Sequence, residues 1–169
     1  MLRKATLTDA PQLARLAEDT FRDAFGALNA AHNMDAHCRT YFAEHIQAAE
    51  IAAHDHDTLL VERDATLVGF AQVRWGVAPR YVDDPSSGEI RRLYVSRAFH
   101  GAGVAQALMR ACIDLIAQSG ARCAWLGVWE HNPRAIAFYR KHAFVEVGEH
   151  IFQLGDDPQR DLIMVRSLV

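Results

Sequence analysis

The chain has 169 residues and a formal net charge of −3; half of its residues are hydrophobic and 23% are charged. That length supports one domain with a sizeable core and not two ordinary ones, so residues 1–169 are expected to form a single domain. The small charge and the lack of a basic run argue against a nucleic-acid surface. No apolar run of about 18 residues suggests a membrane span, and the start Met1-Leu2-Arg3-Lys4-Ala5 lacks a signal-peptide core. Cys38, Cys112 and Cys123 are odd in number with no Cys-x-x-Cys, which points to reduced thiols and a cytoplasmic protein.

Leu2 to Thr6 reads as a short strand. Thr8 or Asp9 then caps a helix with Pro11 in its first turn, and Leu13, Leu16, Ala17, Thr20, Phe21 and Ala24 form its apolar stripe. Ala27 to Asn33 reads as a loop. Met34 to His45 and Gln47 to His54 read as two further helices, with His32, His37 and His45 at surface or amphipathic positions. His54-Asp55-His56-Asp57 has metal-ligand residue types, but four adjacent residues cannot converge on one ion, so a solvated loop is expected and no metal site. Thr58 to Glu62 and Leu67 to Trp75 are strands around a short loop at Arg63-Asp64-Ala65-Thr66. Gly76 to Gly88 is a long irregular stretch, where Trp75, Tyr81, Asp83 and Asp84 are candidates for a substrate entrance.

Ile90 to Val95 is a strand, followed by His100-Gly101-Ala102-Gly103 and then Val104, Leu108, Ala111 and Leu115 at helical spacing. A helix start directly after a strand leaves backbone N–H groups unpaired, and the glycines let an anion come close to them. The stretch therefore reads either as a phosphate cradle or as a plain strand-to-helix turn. It is not a P-loop, because no Gly-Lys-Ser/Thr follows. Cys123 to Trp129 is a strand; Asn132-Pro133 starts a helix that runs to about His142. Phe144 to His150 and Asp161 to Leu168 close the chain as strands around a turn-rich loop, Leu154 to Gln159. The order β-αα(α)-βββ-α-β-α-ββ predicts an α/β domain with a mixed sheet.

Two of these stretches resemble the signature motifs of the GCN5-related N-acetyltransferase (GNAT) superfamily. The first is Leu93-Tyr94-Val95 followed by His100-Gly101-Ala102-Gly103-Val104-Ala105, with His100 where the superfamily usually has Gln or Arg. The second is Asn132-Pro133-Arg134-Ala135-Ile136-Ala137-Phe138-Tyr139-Arg140-Lys141-His142-Ala143-Phe144, with Ala143 in place of the usual glycine. The resemblance implies an α+β fold, with a mostly antiparallel central sheet of six to seven strands flanked by helices. It also implies acetyl-CoA as cosubstrate and direct transfer to an amine. The pantetheine arm would lie along Leu93, Tyr94 and Val95, with a backbone N–H near Val95 as oxyanion donor. The pyrophosphate would sit on Gly101, Ala102, Gly103, Val104, Ala105 and Gln106, beside His100. Tyr139 matches the tyrosine that faces the CoA sulfur as general acid; a core tyrosine is the plainer alternative. Asn132 matches a pantetheine contact and is equally explained as a helix cap.

Some members place a basic glutamate at the position held here by Gly127. That route is closed, which makes Glu89 the candidate base, acting through an ordered water, with Glu130 and His131 behind it. Leu126 to Glu130 and Gly148 to Met164 are similar to PaiA-type spermidine/spermine acetyltransferases. A polyamine would suit Glu89, Asp83 and Asp84. The expected partner is a small-molecule amine, with neither nucleic acid nor membrane; the resemblance leaves a homodimer open. The alternatives are a protein or peptide N-acetyltransferase, or a non-catalytic acyl-CoA-binding regulator.

Overall fold

The computed structural model describes residues 1–169 as one seven-stranded sheet with helices on both faces. In chain order the elements are β1 (Leu2–Lys4), α1 (Ala10–Phe25), α2 (Ala31–Tyr41), α3 (Glu44–Ala52), β2 (His56–Arg63), β3 (Thr66–Arg74), β4 (Gly88–Val95), α4 (Val104–Gln118), β5 (Cys123–Trp129), α5 (Pro133–Lys141), β6 (Val145–Leu154) and β7 (Asp157–Ser167). The strands lie in the order β1-β2-β3-β4-β5-β7-β6. Every pairing is antiparallel except β4 with β5.

Two cores sandwich the sheet. On one face Val104, Leu108, Met109, Cys112, Ile113 and Ile116 of α4 are buried against Leu59, Val61, Val73, Ile90, Leu126 and Val128. On the other, Leu13, Leu16, Ala17 and Phe21 of α1 pack with Met34, Cys38, Leu60 and Phe70. The α1 stripe is buried as its spacing predicts, apart from Ala24, which is exposed.

The helix does not start on a simple Thr8 or Asp9 cap. Thr6 caps a 3-10 turn (Leu7–Asp9) that runs straight into α1. Asp9 reaches back to the Thr6 N–H at 2.7 Å and accepts a bidentate pair from Arg3, both bonds 2.8 Å. The Arg3 guanidinium holds the Asp9 carboxyl far below the usual carboxylate range. We expect Asp9→Ala to cost about 1–2 kcal/mol at neutral pH, the range for a lost cap. A depressed folded pKa stabilises above the unfolded value, and that contribution is lost as pH falls. The difference from wild type should therefore shrink below about pH 4. Urea unfolding at pH 7 and pH 3 checks this; a difference that does not change with pH would contradict it.

Several boundaries differ from the sequence reading. Helix α2 starts at Ala31 and stops at Tyr41, and α3 starts at Glu44 rather than Gln47. No glycine or proline marks that break. Phe42 turns inward to pack edge-on against Phe21 at 5.3 Å, and buried Gln47 donates to the freed Tyr41 carbonyl at 2.8 Å. The β2–β3 loop is shorter than expected, because Arg63 pairs with Thr66 across Asp64 and Ala65, both at positive φ as in a type I′ turn. The β6–β7 hairpin likewise runs on to a tight turn at Gly155-Asp156, carrying Pro158 within β7. Finally, His37 is not at the surface. It stacks on Phe21 at 4.4 Å, and burial pushes its pKa down to about 4.

Candidate active site

Strands β4 and β5 pair only at Gly88 with Ala124 and Glu89 with Trp125. Beyond that they splay. β4 stays bonded to β3 as far as Val95, and β5 stays bonded to β7 as far as Trp129. The facing edges, 90–95 and 126–129, are therefore left without a strand partner. Gly88 fixes the hinge of this V, since a Cβ there would stand 2.6 Å from Ile116 of α4. Opposite the gap, a register shift between Gln72 and Val73 leaves Arg91 outside the β3 ladder. The result is a cleft of about 880 Å³ that runs through the sheet.

One mouth of the cleft is a cationic cradle. After a 3-10 turn (Arg97–Phe99), Gly101 and Gly103 take φ of +83° and +79°, the left-handed region that glycine enters without penalty. Space around both is open. The N–H of Ala102 donates to Phe99 and that of Ala107 to Gly103; the amides of residues 103–106 between them have no backbone acceptor. They open the 15-residue helix α4, whose dipole adds positive potential there. Arg97, Arg134 and Lys141 line the same mouth. His100 is held by the Val95 carbonyl at 2.9 Å and by Arg134 at 3.2 Å. These three cations were not foreseen, because they come from separate elements with no shared local pattern.

Leu93, Tyr94, Val95, His100, Gly101, Ala105, Gln106, Asn132 and Tyr139 all line the cleft. Ala102, Gly103 and Val104 shape it through the backbone, with the Val104 side chain buried in the core. The Asn132 side chain accepts from the Ala135 N–H at 3.1 Å and so caps α5. Tyr139 stands between Phe138 and Phe144. Burial, with a contribution from Cys112, pushes its phenol up to about 12, so it stays protonated at any physiological pH.

The free edge at Leu93–Val95 and the glycine turn into α4 lie where the first sequence motif places the cofactor, and the splay of β4 from β5 opens the cleft beside them. Comparison with known proteins agrees. The pattern of the Acetyltransferase (GNAT) family matches residues 12–144. The chain belongs to the GNAT family. An uncharacterized N-acetyltransferase of Mycobacterium tuberculosis strain H37Rv is 33% identical over 167 residues, 96% of this chain and 100% of that protein. A second relative, from Lactobacillus delbrueckii subsp. lactis, is 29% identical over 161 residues, covering 95% of this chain and 93% of its own length. Among solved structures, a PaiA N-acetyltransferase from Thermoplasma acidophilum, in complex with coenzyme A, shares the fold with a TM-score of 0.78 at 18% identity. That match covers 99% of this chain and 98% of the other. As a GNAT enzyme the chain is an acyltransferase that uses acetyl-CoA, and the cleft fits that donor. The free β4 edge offers backbone groups to an extended amide chain, and the cationic mouth suits a pyrophosphate.

The other mouth of this GNAT cleft lies on the α1 face. Phe21, Asp23 and Phe25 of α1, Asn29 beyond it, Trp129, Phe152 and Asp161 line it. The β6–β7 hairpin roofs it: Asp156 N–H donates to Asn33 at 3.1 Å and Gln159 to Asn29 at 2.6 Å. Glu89 is on β4 but does not line the cleft; it is buried and accepts from Arg74 at 2.6 Å. Glu130 pairs with Arg160, and His131 is exposed. The entrance expected of the 76–88 stretch is not there. Trp75 donates to Asp57, and buried Asp84 accepts from Ser86 and from the Arg122 N–H. Tyr81 packs over Gly148, beyond the cleft lining.

Beneath the cleft, Glu50 of α3 accepts from Arg91 at 2.7 Å and from Arg92 at 2.6 Å. Burial pushes its carboxyl up, and the two arginines outweigh that and hold it below its usual value. This partly buried trio ties α3 to the bulged segment of β4 that borders the cleft.

Proposed function

We propose that this GNAT enzyme transfers the acetyl group of acetyl-CoA directly to the primary amine of a small molecule. The observation that carries this reading is the unpaired β4 edge, which leads from the glycine cradle to Tyr139 and on to a roofed acceptor mouth. Pantetheine amides would add along Leu93, Tyr94 and Val95 as an extra strand. The pyrophosphate would take the free amides of 103–106, with Arg97, Arg134 and Lys141 around it. His100 would then act as a spacer that braces the turn.

Three tasks remain for the protein. A neutral amine must meet the thioester carbon at close range, which the narrow passage through the sheet favours. A backbone N–H on the β4 edge would donate to the oxygen that gains charge. Tyr139 would donate to the departing sulfur. A phenol near 12 is a weaker acid than a thiol near 8.5, so its role is a hydrogen bond that stabilises the thiolate rather than full proton release. Asn132 would reach the pantetheine while capping α5.

The roof over the acceptor mouth favours a compact acceptor over a peptide laid in an open groove. The PaiA fold likeness and the carboxylate at the mouth make polyamines the first acceptors to try. The free Cys38, Cys112 and Cys123 support a reducing, cytoplasmic setting. Thiol release from acetyl-CoA should be measured with spermidine, spermine, amino acids, aminoglycosides and N-terminal peptides. Turnover confined to small amines is the expected result. Turnover with peptides alone would move the reading to protein acetylation. Tight CoA binding with no turnover would favour a regulator.

A further inference from the structure

Gly127 on β5 faces the α1 side of the cleft with no side chain, and two groups close over the space this leaves. A Cβ at 127 would meet His150 Cε1 at 3.3 Å and Asp161 Oδ2 at 3.5 Å. Asp161 pairs with Trp129 on one side and with His150 on the other, in adjacent strands. Its carboxylate lines the cleft and is only 13% exposed. His150 Nε2 stands 3.7 Å from Asp161 Oδ2, within ion-pair reach and longer than a hydrogen bond. The imidazole also meets solvent, with 40% of the side chain exposed. The rings of Phe25, Tyr94 and Trp129 surround the same space, with centroids 5.9 to 6.4 Å apart. A carboxylate set among aromatic rings suits a cation.

We propose that Asp161 binds the ammonium of the acceptor amine and that His150 carries its proton out of the cleft. The inference rests on the acetyltransferase reading and names the acceptor end of that site. The ammonium loses one N–H bond; the proton passes through the Asp161 carboxylate to His150 Nε2, and the electron pair stays on nitrogen. That pair forms the new C–N bond, and the C–S bond breaks with its pair on sulfur. The nitrogen sheds its second proton to solvent, and the thiolate, held by the Tyr139 hydroxyl, takes up a proton from solvent once it has left. His150 then returns its proton to solvent. Asp161 touches the substrate; His150 is a positioning and relay residue.

The groups that face His150 are Asp161 on β7 and, farther off, Glu89 on β4. Asp161 raises its pKa against the effect of burial, and Glu89 adds in the same direction. Glu149, Arg160 and Glu130 form their own ion pairs; the strand alternation puts Glu149 and Arg160 on the opposite sheet face. Only neutral imidazole accepts the proton, so kcat/KM, which reports the free enzyme, should rise with pH through a limb above the ordinary 6.5 of histidine, and the limb in kcat should lie lower. Glu89 thereby affects the reaction through its charge on His150.

The test uses the full chain and has two arms. In the first, the His150 ring proton resonance is titrated with pH in the CoA complex, with and without spermidine. Spermidine should lower the His150 pKa, because a nearby cation disfavours imidazolium, and Asp161→Asn should remove that effect. In the second, Asp161→Asn should raise the amine KM about tenfold or more with CoA affinity unchanged, as expected for a lost charged contact. His150→Gln should leave that KM alone and cut kcat about 10- to 100-fold while erasing the pH limb. In the Gly127→Glu/His150→Ala double variant, a carboxylate fills the vacated space, and activity should return with a limb moved to lower pH. Normal kinetics in Asp161→Asn would overturn the proposal and leave the acetyltransferase reading standing. A spermidine-induced His150 shift with no turnover of any amine would uphold the ammonium site and sink the transferase reading. Neither shift nor turnover would overturn both.

Discussion

Replacing Gly103 with glutamate is expected to abolish acetyl-CoA binding, with a loss in affinity of at least about 100-fold, or roughly 3 kcal/mol. Two effects add. Gly103 sits at φ +79° directly before α4, where an L residue pays about 1–2 kcal/mol. The new carboxylate would also enter the open space in front of the free amides of 103–106 and compete with the pyrophosphate for them. Gly103→Ala separates the two, because it carries the backbone strain without the charge; it should lose only about tenfold, at 1.4 kcal/mol per factor of ten. Calorimetric titration with CoA measures both. Unchanged affinity in Gly103→Glu would remove the phosphate from this turn.

The second large effect is expected at Tyr139. Tyr139→Phe should lower kcat by about 10- to 100-fold, the effect of losing one hydrogen bond to a charged group. CoA affinity should hold, since the ring packing against Phe138 and Phe144 is kept. A drop in kcat and kcat/KM together would mark an interaction made only in the transition state. The loss should not vary with pH between 6 and 9, because burial keeps the phenol protonated up to about 12. Unchanged turnover would return Tyr139 to a packing role.

Much of the donor side could be read from the sequence because its determinants are local. The apolar stripe of α4, Gly101 and Gly103, and Asn132-Pro133 at the start of α5 each act within a few residues. The acceptor side is built differently. Asp161, His150 and Gly127 come from three strands, and only the order β5-β7-β6 brings them together. Nothing near Asp161 in the chain separates it from the other acidic residues of a closing strand. Asp84 misled for a related reason: its setting in a Pro- and Ser-rich stretch suggested a loop carboxylate, yet the Arg122 amide, 38 positions away, draws it inside. The α2–α3 break and the long β6–β7 hairpin were also decided by packing, through Phe42 against Phe21 and Asn33 against the hairpin tip. Glu89 was the candidate base at the start of its strand, but it pairs with Arg74, its direct neighbour on β3, and does not line the cleft.

The central claim is that the free edge of β4 and the glycine turn hold the donor. Amide hydrogen exchange with and without acetyl-CoA tests it directly, because an N–H that gains a partner slows its exchange. New protection is expected at cleft-edge amides within residues 90–95 and at 103–106, with little change on the outer strands β1 and β6. Saturable acetyl-CoA binding that leaves those amides unprotected would contradict it.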